Sequence, residues 1–133
     1  MDYLTDTTFL IDLWRERGRP GPALRFVEQH SRAVVGLPWV AKGEFLRGAL
    51  LAGQAREAVE PFLDSFLVVW PTEATLRQYA GLYAALRKAN SSIGPNDLWL
   101  AACALERALP LLTRNTAEFS RVKGLALVDY SLP

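Results

Sequence analysis

Short apolar runs alternate along this chain with stretches of helical periodicity. Tyr3 to Thr5 is a minimal strand, and Thr7 or Thr8 can cap a helix carrying Phe9, Leu10, Leu13 and Trp14 on one side. The turn residues Gly18 to Pro22 break that pattern, and a second helix with Leu24 and Val27 ends near His30. Ala33 to Leu37 is β-branched enough for a buried strand, and Pro38 then suits the first turn of a helix reaching about Ala52 and stopping at Gly53. A helix over Gln54 to Asp64, a strand over Phe66 to Trp70 and a long helix from Pro71 and Thr72 to about Ala89 follow. In the long helix Leu76, Tyr79, Ala80, Tyr83 and Leu86 keep a 3,4 spacing that predicts the buried face. Asn90 to Asn96 is rich in turn residues, and the pattern predicts a helix over Asp97 to about Arg107. Strands at Leu109 to Thr113 and Ala126 to Val128, with a short helix over Thr116 to Arg121 between them, complete the chain.

Strands that alternate with helices predict an α/β fold with a mostly parallel central sheet of about five strands, flanked by helices on both faces. Such a sheet delivers whatever residue follows each strand to its carboxyl edge, where ligands of these folds bind. Asp6 follows the first strand, Glu44 lies two turns into the helix after the second, and Asn115 follows the fourth. Asp97 begins a helix whose amino end can point the same way.

Each of these acids also has an ordinary structural role open to it. Asp6 can cap the first helix, Asp97 can favour the amino end of its own, and Glu44 can pair with Arg47 one turn on. Glu44 fits that role least, because Val40, Ala41 and Gly48 make its helix face small and apolar and an unpaired carboxylate there is costly. Together the three make an oxygen-only, histidine-free set. Magnesium and manganese take such ligands, whereas zinc favours His or Cys, and a hard cation of this kind activates water and stabilises the leaving oxygen of a phosphodiester. The lone His30, after a helix and before a strand, reads as a surface or capping residue.

Composition narrows the field. Half of the 133 residues are apolar, enough for a well-filled core, and no apolar run approaches a membrane span. The amino terminus lacks the basic segment of a secretory signal, which leads us to expect a soluble, cytoplasmic protein. Fifteen basic residues against fourteen acidic ones exclude a protein that coats nucleic acid indiscriminately, so any such contact is local. The single cysteine, Cys103, lies in the apolar run LWLAACAL and reads as packing.

The order TDTTFLIDL, VAKGEFLRG, IGPNDLWLAACAL and LLTRNTAEFSRVKGL resembles the PIN-domain ribonucleases, specifically the VapC-type toxins of prokaryotic toxin–antitoxin pairs. The resemblance runs through nearly the whole chain and implies one PIN domain over residues 1–133. It implies that Asp6, Glu44 and Asp97 hold magnesium or manganese for hydrolysis of RNA, with the hydroxyl of Thr7 or Thr8 in support. It further implies a homodimer, and a VapB-type antitoxin whose C-terminal segment packs over the site, where Trp14, Trp39 and Phe45 offer apolar groups. The fourth family acid is where this chain departs: Asn115 stands in its place and Glu118 is the nearest carboxylate, so Glu118 takes the role or the site runs on three acids. Two other readings share the fold, a housekeeping RNA-processing nuclease and a non-catalytic PIN-like binding module. A haloacid-type phosphatase fits poorly, because Asp6 is followed by Thr7 and Thr8 rather than an Asp-x-Asp pair.

Overall fold

In the computed structural model, which describes residues 1–133, the strands are β1 (Tyr3–Thr5), β2 (Val35–Pro38), β3 (Leu67–Val69), β4 (Leu111–Leu112) and β5 (Leu127–Val128). They form one sheet in the order β3-β2-β1-β4-β5, with every pairing parallel. Leu4 of the central strand pairs with Gly36 on one side and Leu111 on the other. A Cβ on Gly36 would lie 2.7 Å from Leu4 Cδ2 and 3.1 Å from Val69 Cγ2, so only glycine lets neighbouring strands pack their side chains over that point.

The helices are α1 (Thr7–Arg15), α2 (Pro22–Gln29), α3 (Trp39–Leu51), α4 (Arg56–Leu63), α5 (Glu73–Lys88), α6 (Pro95–Arg107) and α7 (Thr116–Phe119). Both sheet faces are covered, as an all-parallel sheet requires. Successive residues of β4 point to opposite faces. Leu111 joins the main core with Leu4, Leu37, Leu100, Ala101 and Phe119, while Leu112 packs with Phe9, Ala23, Phe26 and Tyr130. Cys103 is fully buried in the main core, where burial pushes its thiol up to about 11, in keeping with a packing role. No helix is long and apolar enough to cross a membrane.

Several local expectations shift. The cap of α1 is Asp6 rather than Thr7 or Thr8: it holds an extended backbone, and its Oδ1 accepts from the Phe9 N–H at 2.8 Å. Pro38 precedes α3 instead of opening it and still pairs in β2, opposite Val69. Asp97 sits in the first turn of α6, two residues inside a start made by Pro95. Along α5 the inward stripe is Thr75, Tyr79, Leu82 and Leu86, so Leu76 and Tyr83 are exposed. His30 does cap α2, its Nδ1 2.9 Å from the Phe26 carbonyl and its ring stacked on Phe26.

The strand order reverses between β1 and β4, since the chain leaves β1 toward β2 and leaves β4 toward β5. That switch point opens a crevice at the carboxyl ends of the two strands.

Candidate active site

Asp6 stands at this crevice, directly after β1. It is 3% exposed, so burial raises its carboxyl to about 6 against an ordinary value near 3.8. Interaction with the Thr113 hydroxyl and the Phe9 N–H pulls the value back down; the charge of Asp12 raises it and that of Arg114 lowers it. Thr113 is itself fully buried just beyond β4, and so it meets Asp6 from the end of the strand beside β1.

Asp97 enters from the first turn of α6 and is also raised to about 6, first by burial and then by the charges of Glu118, Glu44 and Asp6. Those three acids come from α7, from α3 and from the end of β1. A carboxyl that feels all of them marks a point where distant segments converge. Glu44 is positioned by a 2.7 Å hydrogen bond donated by Thr7 Oγ1. It also meets Arg47 at 3.7 Å, so the ordinary ion-pair role and the crevice position coexist.

Glu118 accepts the Gly94 N–H at 3.1 Å, which holds its carboxyl below the usual range, and Asn115 Nδ2 donates to its other oxygen at 3.0 Å. Glu118 lies within hydrogen-bonding reach of Asp97. Asn115 therefore orients Glu118. Trp14 packs against Phe45 and Phe62 at the rim, and Trp39 turns away to pack against Trp99.

Three contributors escaped the sequence reading. Asp12, Arg114 and Tyr130 form a linked group in which Arg114 Nε donates to Asp12 Oδ2 at 2.9 Å and the Tyr130 hydroxyl donates to the same oxygen at 2.6 Å. The available signal was Asp12 itself, an acid inside the apolar run FLIDLW.

No three of the acids close on a single point in this structure. Their chemistry nevertheless fits a hard cation: all donors are carboxylate oxygens, and their mutual repulsion, visible in the raised Asp97, is what a divalent ion relieves.

A parallel sheet in this order, with acids gathered at its switch point, is the plan of a nuclease of the PIN type. The profile of the PIN domain family matches residues 3–125, and the chain belongs to that family. It is 30% identical to Ribonuclease VapC1 of Haemophilus influenzae, the match covering 98% of this chain and 99% of the relative. Ribonuclease VapC1 of Methanocaldococcus jannaschii is 28% identical over 96% of this chain and 85% of its own. Among solved structures, VapBC-1 from nontypeable Haemophilus influenzae superposes with a TM-score of 0.84 at 26% identity, covering 99% of this chain and 100% of that one. DNA-bound VapBC from Salmonella typhimurium shares the fold, with a TM-score of 0.83 at 20% identity and 98% of both chains covered. Within the PIN-domain family the chain is thus similar to the VapC ribonucleases.

Proposed function

We propose that this protein hydrolyses phosphodiester bonds of RNA in the cytoplasm as the toxin of a type II pair, with Asp6, Glu44 and Asp97 holding magnesium or manganese and Glu118 completing the acidic set. The observation that carries this reading is the raised Asp97, which feels three acids from three other segments at the crevice. When bound, such a cation supplies the Lewis acidity that activates water and stabilises the leaving oxygen. The protein's own part is positioning. Asp6 is fixed as a helix cap beside Thr113, Thr7 aims Glu44, and Asn115 with the Gly94 N–H aims Glu118.

Asp97→Asn tests the assignment, since the amide keeps the size of the side chain in the first turn of α6 but loses the anionic oxygens. Cleavage of a single-stranded RNA in matched magnesium should fall beyond the ~10–100-fold typical of losing an outer supporting contact. Equal cleavage by wild type and variant refutes the role of Asp97.

The protein is further proposed to act as a homodimer held in check by a VapB-type antitoxin. A groove of about 280 Å³ supports the antitoxin part of this reading, running beside Glu44 and lined by Ile11, Trp14, Phe45 and Ala49. It leads out toward Leu46 and Leu50, the latter 82% exposed. An amphipathic segment laid there would cover the apolar wall and end at the acids.

A further inference from the structure

Five ion pairs occur in the molecule, and four of them join residues no more than four positions apart. Only Arg114 with Asp12 ties distant segments together, the turn after β4 to the middle of α1. The contact is two-pronged, with Nε on Oδ2 at 2.9 Å and Nη2 on Oδ1 at 3.4 Å. Tyr130, 3% exposed and edge-on to Phe9, adds its hydroxyl to the same carboxylate. Yet the Arg114 side chain remains half exposed, against 16% for Asp12. A pair this open contributes little to the stability of a fold. Two other segments, the middle of α1 and the chain after β5, therefore hold this arginine directly or through Asp12, and they leave its outer edge free.

The location of that edge is informative. Arg114 stands between Thr113, which contacts Asp6, and Asn115, which aims Glu118, and its charge reaches Asp6. A single-stranded RNA entering the crevice brings phosphates toward four carboxylates, and it needs a cation held still beside them. Arg47 cannot serve equally well, being 67% exposed and in contact with Glu44 only at 3.7 Å. The side-on grip of Asp12 occupies Nε and one Nη2 hydrogen, which leaves the Nη1 end of the fork for two-pronged binding of phosphate.

We infer that Arg114 is a substrate-binding residue that takes an RNA phosphate next to the acids, and that Asp12 and Tyr130 are positioning residues that hold its guanidinium for the purpose. The inference rests on the ribonuclease reading above. Its test is the affinity of the full-length protein for a labelled single-stranded RNA in chelator, measured across potassium chloride concentrations, with steady-state cleavage in magnesium alongside. Arg114→Ala should weaken binding by about 10-fold or more and make the slope of log affinity against log salt shallower by about 0.7, the value of one phosphate contact on a single strand. Arg114→Lys should keep the slope but bind less tightly than wild type, because an ammonium cannot span both oxygens of Asp12. Tyr130→Phe should keep the slope and raise KM with little change in kcat. A purely structural role would lower the active fraction and leave the slope untouched, so an unchanged slope in Arg114→Ala overturns the proposal. Should that variant fail to fold, wild-type affinity and KM in Arg114→Lys overturn it instead. Wild type that neither binds nor cleaves RNA would bring down the ribonuclease reading itself, whereas cleavage by wild type with normal KM and slope in Arg114→Ala brings down this inference alone.

Discussion

The N-cap of α1 and the deepest acid of the crevice are the same residue, Asp6, and the two duties pull its protonation in opposite directions. Capping favours the anion through the Phe9 N–H, and burial disfavours it more strongly, leaving the carboxyl at about 6. Because the folded value lies above the unfolded one near 3.8, the contribution of Asp6 to stability is full below that lower value and is lost as pH rises through about 6. In metal-free protein above that range the buried charge weighs against the fold by roughly 3 kcal/mol. Asn caps a helix almost as well as Asp. Asp6→Asn should therefore melt above wild type at pH 7.5 in chelator, with the gap narrowing by pH 5, while cleavage is abolished. A gap that is constant with pH would mean that Asp6 is not raised. At the fourth acidic position, Glu118→Ala should impair single-turnover cleavage more than Asn115→Ala, since Asn115 acts through Glu118 and the Gly94 N–H still holds that carboxylate in its absence. A dead Asn115→Ala beside an active Glu118→Ala would give the role to Asn115.

Among the helices, α5 alone carries a capping box. Thr72 caps it in a reciprocal box with Thr75, and its hydroxyl also donates to Glu106 of α6 at 2.9 Å. Thr72→Ala should cost about 1 kcal/mol, read as a lower denaturant midpoint at unchanged slope; no shift would mean the cap is dispensable. That cap was legible as the Pro71–Thr72 start, but the buried face was not. Helix α5 carries apolar residues on more than one side, and Tyr79 and Leu86 belong to either stripe. Periodicity alone could not decide between Leu76 with Tyr83 and Thr75 with Leu82. All five strands and seven helices were legible to within a few residues, because apolar runs and turn residues alternate so regularly. The acids were legible by type and by position after strands. What joins them was not: hydrogen bonds such as Thr7 to Glu44 or Tyr130 to Asp12 depend on strand order, which no local pattern encodes.

For the molecule as a whole, the mutual repulsion of the acids is what a bound cation would relieve. Magnesium or manganese at millimolar levels should raise the melting temperature of wild type, by an amount that shrinks in Glu44→Gln. Chelator should remove both the rise and the cleavage. Indifference to divalent ions, or a strong preference for zinc, would contradict an oxygen-only cation site.

The sheet order also sets when this site exists. The first strand synthesised occupies the middle of the sheet, and Leu4 waits for Leu111 before its second edge is filled. Glu118 is later still. Closing so long a loop is slow and entropically costly, and the core cannot repay it piecemeal. A growing chain therefore carries Asp6 and Glu44 through much of its synthesis, and Asp97 toward its end, without a crevice to gather them. The ribosome making this enzyme is thus working with a nascent chain that cannot yet cut RNA.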